Sequence, residues 1–70
     1  MIDGQVVELS ARQKQCLLWV EEGKSSWEIG VILRISRNTV DFHIKNAMRK
    51  LEVTTRIQAA IKARRLKLLD

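Results

Sequence analysis

Residues 25–51 read SSWEIGVILRISRNTVDFHIKNAMRKL, and this stretch decides the fold. Its apolar residues recur at the spacing of two helices, a short one over 26–33 and a longer one over 37–51. Only Arg34, Ile35 and Ser36 separate the two. A short helix, a tight turn and a longer helix form the helix-turn-helix pattern, for which a plain helical hairpin is the alternative.

Helix-start signals occur four times along the chain. Three are capping boxes, in which a hydroxyl accepts an amide hydrogen and a Glu or Gln side chain reaches back; they begin at Ser10, Ser25 and Thr55. Ser36 begins the remaining helix, and Gly23 and Arg34-Ile35 mark helix ends. We therefore predict an all-α, four-helix domain with helices near 10–22, 26–33, 37–51 and 55–66.

The four apolar stripes are too short to be buried separately, so they must share one core. The predicted core comprises Leu9, Cys16, Leu17, Val20, Ile29, Leu33, Ile35, Val40, Ile44, Ala47, Met48, Leu51, Val53 and Ala60. Gly30 is expected where the second and third helices cross. On the fourth helix, the expected apolar side contains Ile57, Ala60, Ile61, Ala63 and Leu66.

The composition of the 70-residue chain excludes several classes of protein. Its single cysteine, Cys16, cannot form an intramolecular disulfide or a four-cysteine zinc site. No apolar run approaches the ~18 residues that a membrane-spanning helix requires. His43 has no partner at catalytic or metal-binding spacing, and the sequence contains no glycine-rich phosphate loop. We therefore expect no catalytic site, no metal site and no cofactor.

The net charge of +5 is unevenly distributed. Residues 1–35 carry four basic and five acidic side chains, whereas residues 36–70 carry nine basic and three acidic ones, so their net charges are −1 and +6. A basic half of this kind favours a polyanionic partner such as nucleic acid or anionic lipid. A solvated, lysine-rich surface is the alternative explanation.

The third predicted helix presents a row of long side chains opposite its apolar side. This outward strip comprises Asn38, Asp41, Phe42, Lys45 and Arg49, which follow helical spacing. A helix that reads base edges in the major groove needs such a row, whereas an ordinary solvent-facing side would carry simple Glu/Lys pairs. The strip therefore predicts DNA recognition.

Phosphate groups are expected at the amino ends of the second and third helices, where free amides and the helix dipole favour anions. Lys24-Ser25-Ser26 begins the second helix, and Ser36-Arg37-Asn38-Thr39 begins the third. Ser25 and Ser36 are expected to cap. The side chains of Ser26, Asn38 and Thr39 therefore remain free to donate to phosphate oxygens of the DNA.

Several spaced motifs resemble the LuxR-type helix-turn-helix domain over residues 9–69. They are Leu9-Ser-Ala-Arg12, Trp19 through Gly23-Lys-Ser-Ser-Trp-Glu-Ile29, Ile35-Ser-Arg-Asn-Thr-Val40, Phe42-His-Ile44, Lys50-Leu51 and Arg56-Ile-Gln-Ala59. The Gly-Lys-Ser-Ser-Trp-Glu-Ile and Thr-Val-x-Phe-His-Ile stretches are most similar to the quorum-sensing branch. In that branch a separate N-terminal domain binds an acyl-homoserine lactone.

The resemblance implies a domain that binds an inverted-repeat promoter site in double-stranded DNA as a homodimer. It implies base contacts at Asp41, Phe42 and Lys45. The expected DNA-backbone contacts are Lys24, Ser26, Arg37, Asn38, Thr39 and Arg49. The fourth helix is expected to form the dimer contact through Ile57, Ala60, Ile61 and Arg64. Two residues depart from the family pattern: Asp41, where many relatives carry a basic or neutral polar residue, and Glu21, where a small apolar residue is usual.

The resemblance also implies how the chain is organised and where it acts. Residues 1–8 are expected to be an N-terminal extension or linker remnant, and residues 9–69 the DNA-binding domain of a bacterial transcription regulator in the cytoplasm, at the nucleoid. An acyl-homoserine lactone would act only through a domain outside these 70 residues. The alternatives are a small stand-alone regulator, or a module that uses Trp27, Leu18 and the fourth helix for dimerisation or contact with RNA polymerase. Membrane-surface binding through residues 62–67 is not expected.

Overall fold

The computed structural model describes residues 6–70, which contain four helices and no strand. The helices are α1 (Ala11–Glu21), α2 (Ser26–Leu33), α3 (Arg37–Leu51) and α4 (Arg56–Arg65). The all-α prediction is confirmed, and the predicted ends differ from the observed ones only where cap residues were counted as helix. Residues 1–5 of the expected N-terminal extension lie outside the described residues, and Val7 packs against the core. The domain division itself therefore stays a prediction.

The predicted capping boxes all form. Ser10 Oγ accepts from the Gln13 amide at 3.1 Å while Gln13 Oε1 accepts from the Ser10 amide at 2.9 Å. The boxes that begin at Ser25 and Thr55 repeat this reciprocal pattern. Ser36 caps α3 by accepting from the Thr39 amide at 3.0 Å. Each such cap stabilises its helix by ~1 kcal/mol, which matters in a chain this short.

The turn between α2 and α3 depends on one strained residue and one glycine. Arg34 ends α2 in the left-handed conformation, with φ 61° and ψ 43°. A Cβ on Gly30 would lie 2.7 Å from the Ile35 carbonyl oxygen, which is closer than real side chains approach. The absence of a side chain at Gly30 therefore lets the turn close onto α2, as the sequence predicted, and this fixes the position of α3.

The core consists of two adjoining clusters. One contains Leu9, Leu17, Ala47, Leu51, Ala59, Ala63 and Leu69, and the other contains Cys16, Val20, Ile29, Val40, Ile44 and Ala60. Helix α3 supplies both clusters and packs against α1, α2 and α4. Four predicted core residues are only half-buried at the margins of these clusters: Leu33, Ile35, Met48 and Val53.

The prediction of which α4 residues are buried was partly wrong. Its buried residues are Ala59, Ala60 and Ala63, whereas Ile57 and Ile61 are 54% and 58% exposed. Leu66 is exposed as well. Small side chains allow α4 to approach α1 and α3 closely, so the inward side of this helix selects alanine rather than isoleucine.

The C-terminal residues fold back onto this core, which the sequence did not indicate. Leu69 is buried, and the turn before it closes where the Leu68 amide donates to the Ala63 carbonyl at 2.8 Å. Arg64 Nη1 donates to the Asp70 carbonyl at 3.0 Å. The described residues therefore form one packed unit from α1 through to the last residue.

Candidate nucleic-acid interface

Helix α3 has two chemically opposite sides. Its inward side buries Val40, Ile44, Ala47 and Leu51. Its outward strip leaves Asn38, Phe42, Lys45 and Arg49 exposed and Asp41 half-buried. Because the inward side anchors α3 in both core clusters, the strip is a row of long side chains held on a fixed helix. Such a row has the reach and spacing to contact base edges in a major groove.

Phe42 lies in the middle of this strip and is 61% exposed. Its ring contacts the His43 ring edge-on, with the ring centroids 5.7 Å apart. Asn38 and Lys45 lie one turn before it and one turn after it on the same side. An exposed aromatic ring between polar side chains can make an apolar contact with a thymine methyl group.

The amino end of α3 combines a cap with free polar side chains. Ser36 Oγ accepts from the Thr39 amide and also shares a hydrogen bond of 2.8 Å with Thr39 Oγ1. Either hydroxyl can be the donor in this second bond, so the expectation that Thr39 donates to a phosphate oxygen stays a prediction. Arg37 and Asn38 are exposed, and their side chains make no hydrogen bond within residues 6–70. They remain available to an anion beside the helix terminus.

Ser26 is buried, with 9% of its surface exposed, and its hydroxyl is fully engaged. The hydroxyl donates a short hydrogen bond to Asp41 Oδ1 and accepts from Arg56 Nη1 at 2.7 Å. The expectation that Ser26 is free to donate to a phosphate oxygen was therefore wrong. The sequence could not indicate this, because the partners lie 15 and 30 residues away along the chain.

Arg56 completes a network that joins α2, α3 and α4. Its Nη2 donates to Asp41 Oδ1 at 3.2 Å, while its Nη1 bonds Ser26. We name Ser26, Asp41 and Arg56 the three-helix network. Sequence reasoning did not select Arg56 as a site residue. Its position directly after the Thr55 cap was the only local signal that it stands at the start of α4.

The network holds Asp41 in its charged form. The hydrogen bond from Ser26 lowers the pKa of the Asp41 carboxyl most, and the Arg56 guanidinium and the more distant Arg37 charge lower it further, against a smaller opposing effect of burial. Asp41 is therefore a carboxylate at neutral pH. It is also the only acidic side chain on α3, where cations dominate the exposed surface.

The remaining predicted backbone contacts, Lys24 and Arg49, lie before α2 and near the end of α3. Lys24 precedes α2 and is half-buried, while Arg49 is exposed near the end of α3 and donates to Asn46 Oδ1 at 3.2 Å. Asp41, Arg37, Ser26 and Arg56 line one shallow depression at the amino end of α3. The structure thus brings the predicted base-contacting residues onto one strip with basic groups at its ends.

The four residues predicted for the dimer contact do not share one exposed surface. Ile57 and Ile61 lie one turn apart on the outer side of α4. Ala60 is 2% exposed and belongs to the core, so its assignment to a dimer contact was wrong. Arg64 is paired within the chain, because it donates to both carboxylate oxygens of Glu21 at 2.9 and 2.7 Å.

Other chemistry is not assembled in residues 6–70. No group of three metal-capable side chains occurs there. Cys16 is buried, and this burial raises the pKa of its thiol. None of the helices described is long and apolar enough to cross a membrane.

Comparison with known proteins identifies the family. Residues 7–63 match the model of the bacterial regulatory proteins of the luxR family. The chain is 59% identical over 66 residues to the HTH-type transcriptional regulator y4qH of Sinorhizobium fredii, covering 94% of this chain and 20% of the relative. It is 52% identical over 56 residues to the transcriptional activator protein LuxR of Aliivibrio fischeri, covering 80% of this chain and 22% of that protein.

A solved structure gives the same answer for the fold. The transcription factor GerE superposes with a TM-score of 0.83 at 32% identity, covering 94% of this chain and 97% of GerE. The chain spans about a fifth of the length of the curated relatives described above. The chain belongs to the luxR family of bacterial regulatory proteins and is a LuxR-type helix-turn-helix DNA-binding domain.

Proposed function

We propose that α3 enters the major groove of a specific promoter site and that its outward strip reads the base edges. The observation that carries this proposal is the exposure of Phe42 and Lys45 on a helix whose opposite side is locked into the core. Lys45 has the length and charge to donate to guanine O6 and N7, and Phe42 supplies the apolar contact. Asp41, beside them, is the acceptor of the strip.

The phosphate contacts in this proposal come from basic and polar side chains near the ends of α2 and α3, of which Arg49 also donates to Asn46 Oδ1. Lys24, Arg37 and Asn38 lie around the amino ends of α2 and α3, and Arg49 lies at the far end of the strip. Their placement on both ends would fix the register of α3 on the duplex. Thr39 at the amino end of α3 belongs to the same set. Ser26 leaves the set because its hydroxyl donates to Asp41 and accepts from Arg56.

The proposal includes a homodimer on an inverted repeat. Helix-turn-helix dimers bind two half-sites related by the symmetry of the protein. The exposed pair Ile57 and Ile61 on α4 supports a contact between two copies, since large apolar side chains one turn apart gain from mutual burial. Ala60 has no part in it because it is buried in the core, and the Arg64 guanidinium is already paired with Glu21.

Within a longer regulator, this domain would be the output unit. The quorum-sensing motifs support an acyl-homoserine lactone as the signal, acting through a domain outside these 70 residues. RNA polymerase would be the partner at the promoter. The domain would act in the cytoplasm, because bacterial DNA lies there. The domain would have no enzymatic role, as its relatives are transcriptional regulators.

The test is selection of bound duplexes from a random pool by the purified 70-residue protein. We expect enrichment of an inverted repeat, and we expect affinity for it to fall steeply with salt, as counterions are released from each contacted phosphate. An unenriched pool would contradict the proposal. Binding to anionic vesicles without preference for DNA would instead favour a membrane-surface helix.

A further inference from the structure

The three-helix network leaves one polar atom of the outward strip, Asp41 Oδ2, without a hydrogen bond from the described residues. Both hydrogen bonds to the Asp41 carboxylate, from Ser26 and Arg56, end on Oδ1. No hydrogen bond within residues 6–70 uses Oδ2. The side chain is 46% exposed, so the unused oxygen has access to solvent. Asp41 lines a surface depression together with Asn38, Phe42 and Lys45.

We infer that Asp41 determines specificity by accepting a hydrogen bond from a cytosine amino group through Oδ2, and that Ser26 and Arg56 are the positioning residues that hold it. This inference rests on the proposed function, since it requires α3 in the major groove. Cytosine presents only its N4 amino donor there. Adenine also presents an amino donor, but its neighbouring N7 acceptor repels a carboxylate, and guanine and thymine present acceptors.

The network explains how a carboxylate can serve on a surface that meets DNA. An isolated Asp side chain would be repelled by phosphates and would lose conformational entropy on binding. Here the Arg56 guanidinium lies 3.2 Å from Oδ1 and offsets the charge. Ser26, itself buried, fixes the same oxygen from the α2 side. The orientation of Oδ2 is therefore set by two helices other than the one that carries Asp41.

A purely structural role is the competing explanation, because the network also ties α4 to the helix-turn-helix. The chain contains a matched pair with which to separate the two roles. Glu21 and Arg64 form the other carboxylate–arginine pair between α4 and a neighbouring helix, at 2.7 Å, and Glu21 belongs to α1. Glu21→Gln therefore removes a comparable interhelical ion pair away from the outward strip.

The experiment is selection from a random duplex pool with the wild type, Asp41→Asn, Arg56→Gln, Arg56→Lys and Glu21→Gln. Asp41→Asn is nearly isosteric, and circular dichroism checks that each variant is folded. The wild type is expected to prefer cytosine by about fivefold or more at one position of each half-site. Asp41→Asn should abolish that preference and leave the other positions unchanged. Arg56→Gln should weaken it, Arg56→Lys should restore part of it, and Glu21→Gln should leave the whole profile unaltered.

Each contrary result overturns a defined part of the account. An Asp41→Asn profile identical to the wild-type profile would contradict base reading by Asp41, even if affinity for all duplexes rises through loss of repulsion. A Glu21→Gln profile altered at the same position would make the effect structural. If the wild type enriches no site at all, the proposed function fails and takes this inference with it. Enrichment by the wild type without the Asp41 dependence removes the inference alone.

Discussion

The two sides of α3 differ in how they obtain their function. The inward side is local: Val40, Ile44 and Leu51 follow helical spacing and pack where that spacing puts them. The outward strip depends on its neighbours, because the Asp41 carboxylate is oriented by Ser26 on α2 and Arg56 on α4. Stability of this helix can therefore be inferred from one stretch of sequence, whereas its chemistry requires three helices in place.

The largest effect should come from the inward side. Ile44 is 2% exposed, and Ile44→Ala is expected to lower the free energy of unfolding by about 2–5 kcal/mol, since it removes buried methyl groups and leaves a cavity. A domain of 70 residues has roughly 4–10 kcal/mol in total. Urea denaturation followed by circular dichroism measures the change. Its exposed neighbour provides the control, as Lys45→Ala should shift stability by less than about 0.5 kcal/mol.

The turn between α2 and α3 fixes the position of α3, and substitution of Gly30 tests this role. In an unobstructed helix, Gly→Ala stabilises by about 1 kcal/mol. Here the new Cβ would meet the Ile35 carbonyl oxygen at 2.7 Å, so Gly30→Ala should destabilise by about 1–3 kcal/mol and also weaken DNA binding. Val31→Ala, at the exposed next position, should change neither quantity appreciably. A Gly30→Ala protein more stable than the wild type would rule out this close approach.

The smallest effect concerns the charge of Asp41. The Ser26 hydrogen bond, with help from Arg56, lowers the Asp41 pKa below its unfolded value of about 3.9. The ionised carboxylate therefore stabilises the fold above about pH 4, and this contribution disappears as the pH falls through the lower, folded-state pKa. Since the side chain is half-exposed, the contribution should be under ~1 kcal/mol.

Asp41→Asn measures that contribution by unfolding at two pH values. The variant should be less stable than the wild type at neutral pH, and the gap should narrow in strong acid. The free energy of unfolding of Glu21→Gln can be compared with that of the wild type at the same two pH values, because the hydrogen bond from Arg64 lowers the pKa of the Glu21 carboxyl. If the difference in free energy of unfolding between the wild type and Asp41→Asn does not change with pH, the ionised carboxylate does not stabilise the fold.

The sequence predicted the helices because their signals are local. Hydroxyls at Ser10, Ser25, Ser36 and Thr55 cap within three residues of themselves, so reading the chain is sufficient. The inward side of α4 could not be predicted in this way. Whether Ile61 or Ala63 is buried depends on how closely α4 approaches α1 and α3, and residue spacing contains no such distance.

In the candidate site too, features that follow from residue spacing were predicted, and contacts between residues distant in the sequence were not. The outward strip was predicted, since Phe42 and Lys45 are exposed wherever the inward side of α3 is buried. The engagement of Ser26 was not predicted, because it joins residues 15 and 30 positions apart. Arg56 was missed for the same reason. Tertiary contacts between polar groups leave no periodic trace in a single sequence.

The most direct test of the central claim, that the outward strip reads bases, is the discrimination between the selected site and a scrambled duplex. Dissociation constants are measured by fluorescence anisotropy at one salt concentration for the wild type, Lys45→Ala and Arg49→Ala. Lys45→Ala should lose about 1–3 kcal/mol of discrimination, whereas Arg49→Ala should weaken binding to both duplexes alike. An equal loss on both duplexes from Lys45→Ala would contradict the claim.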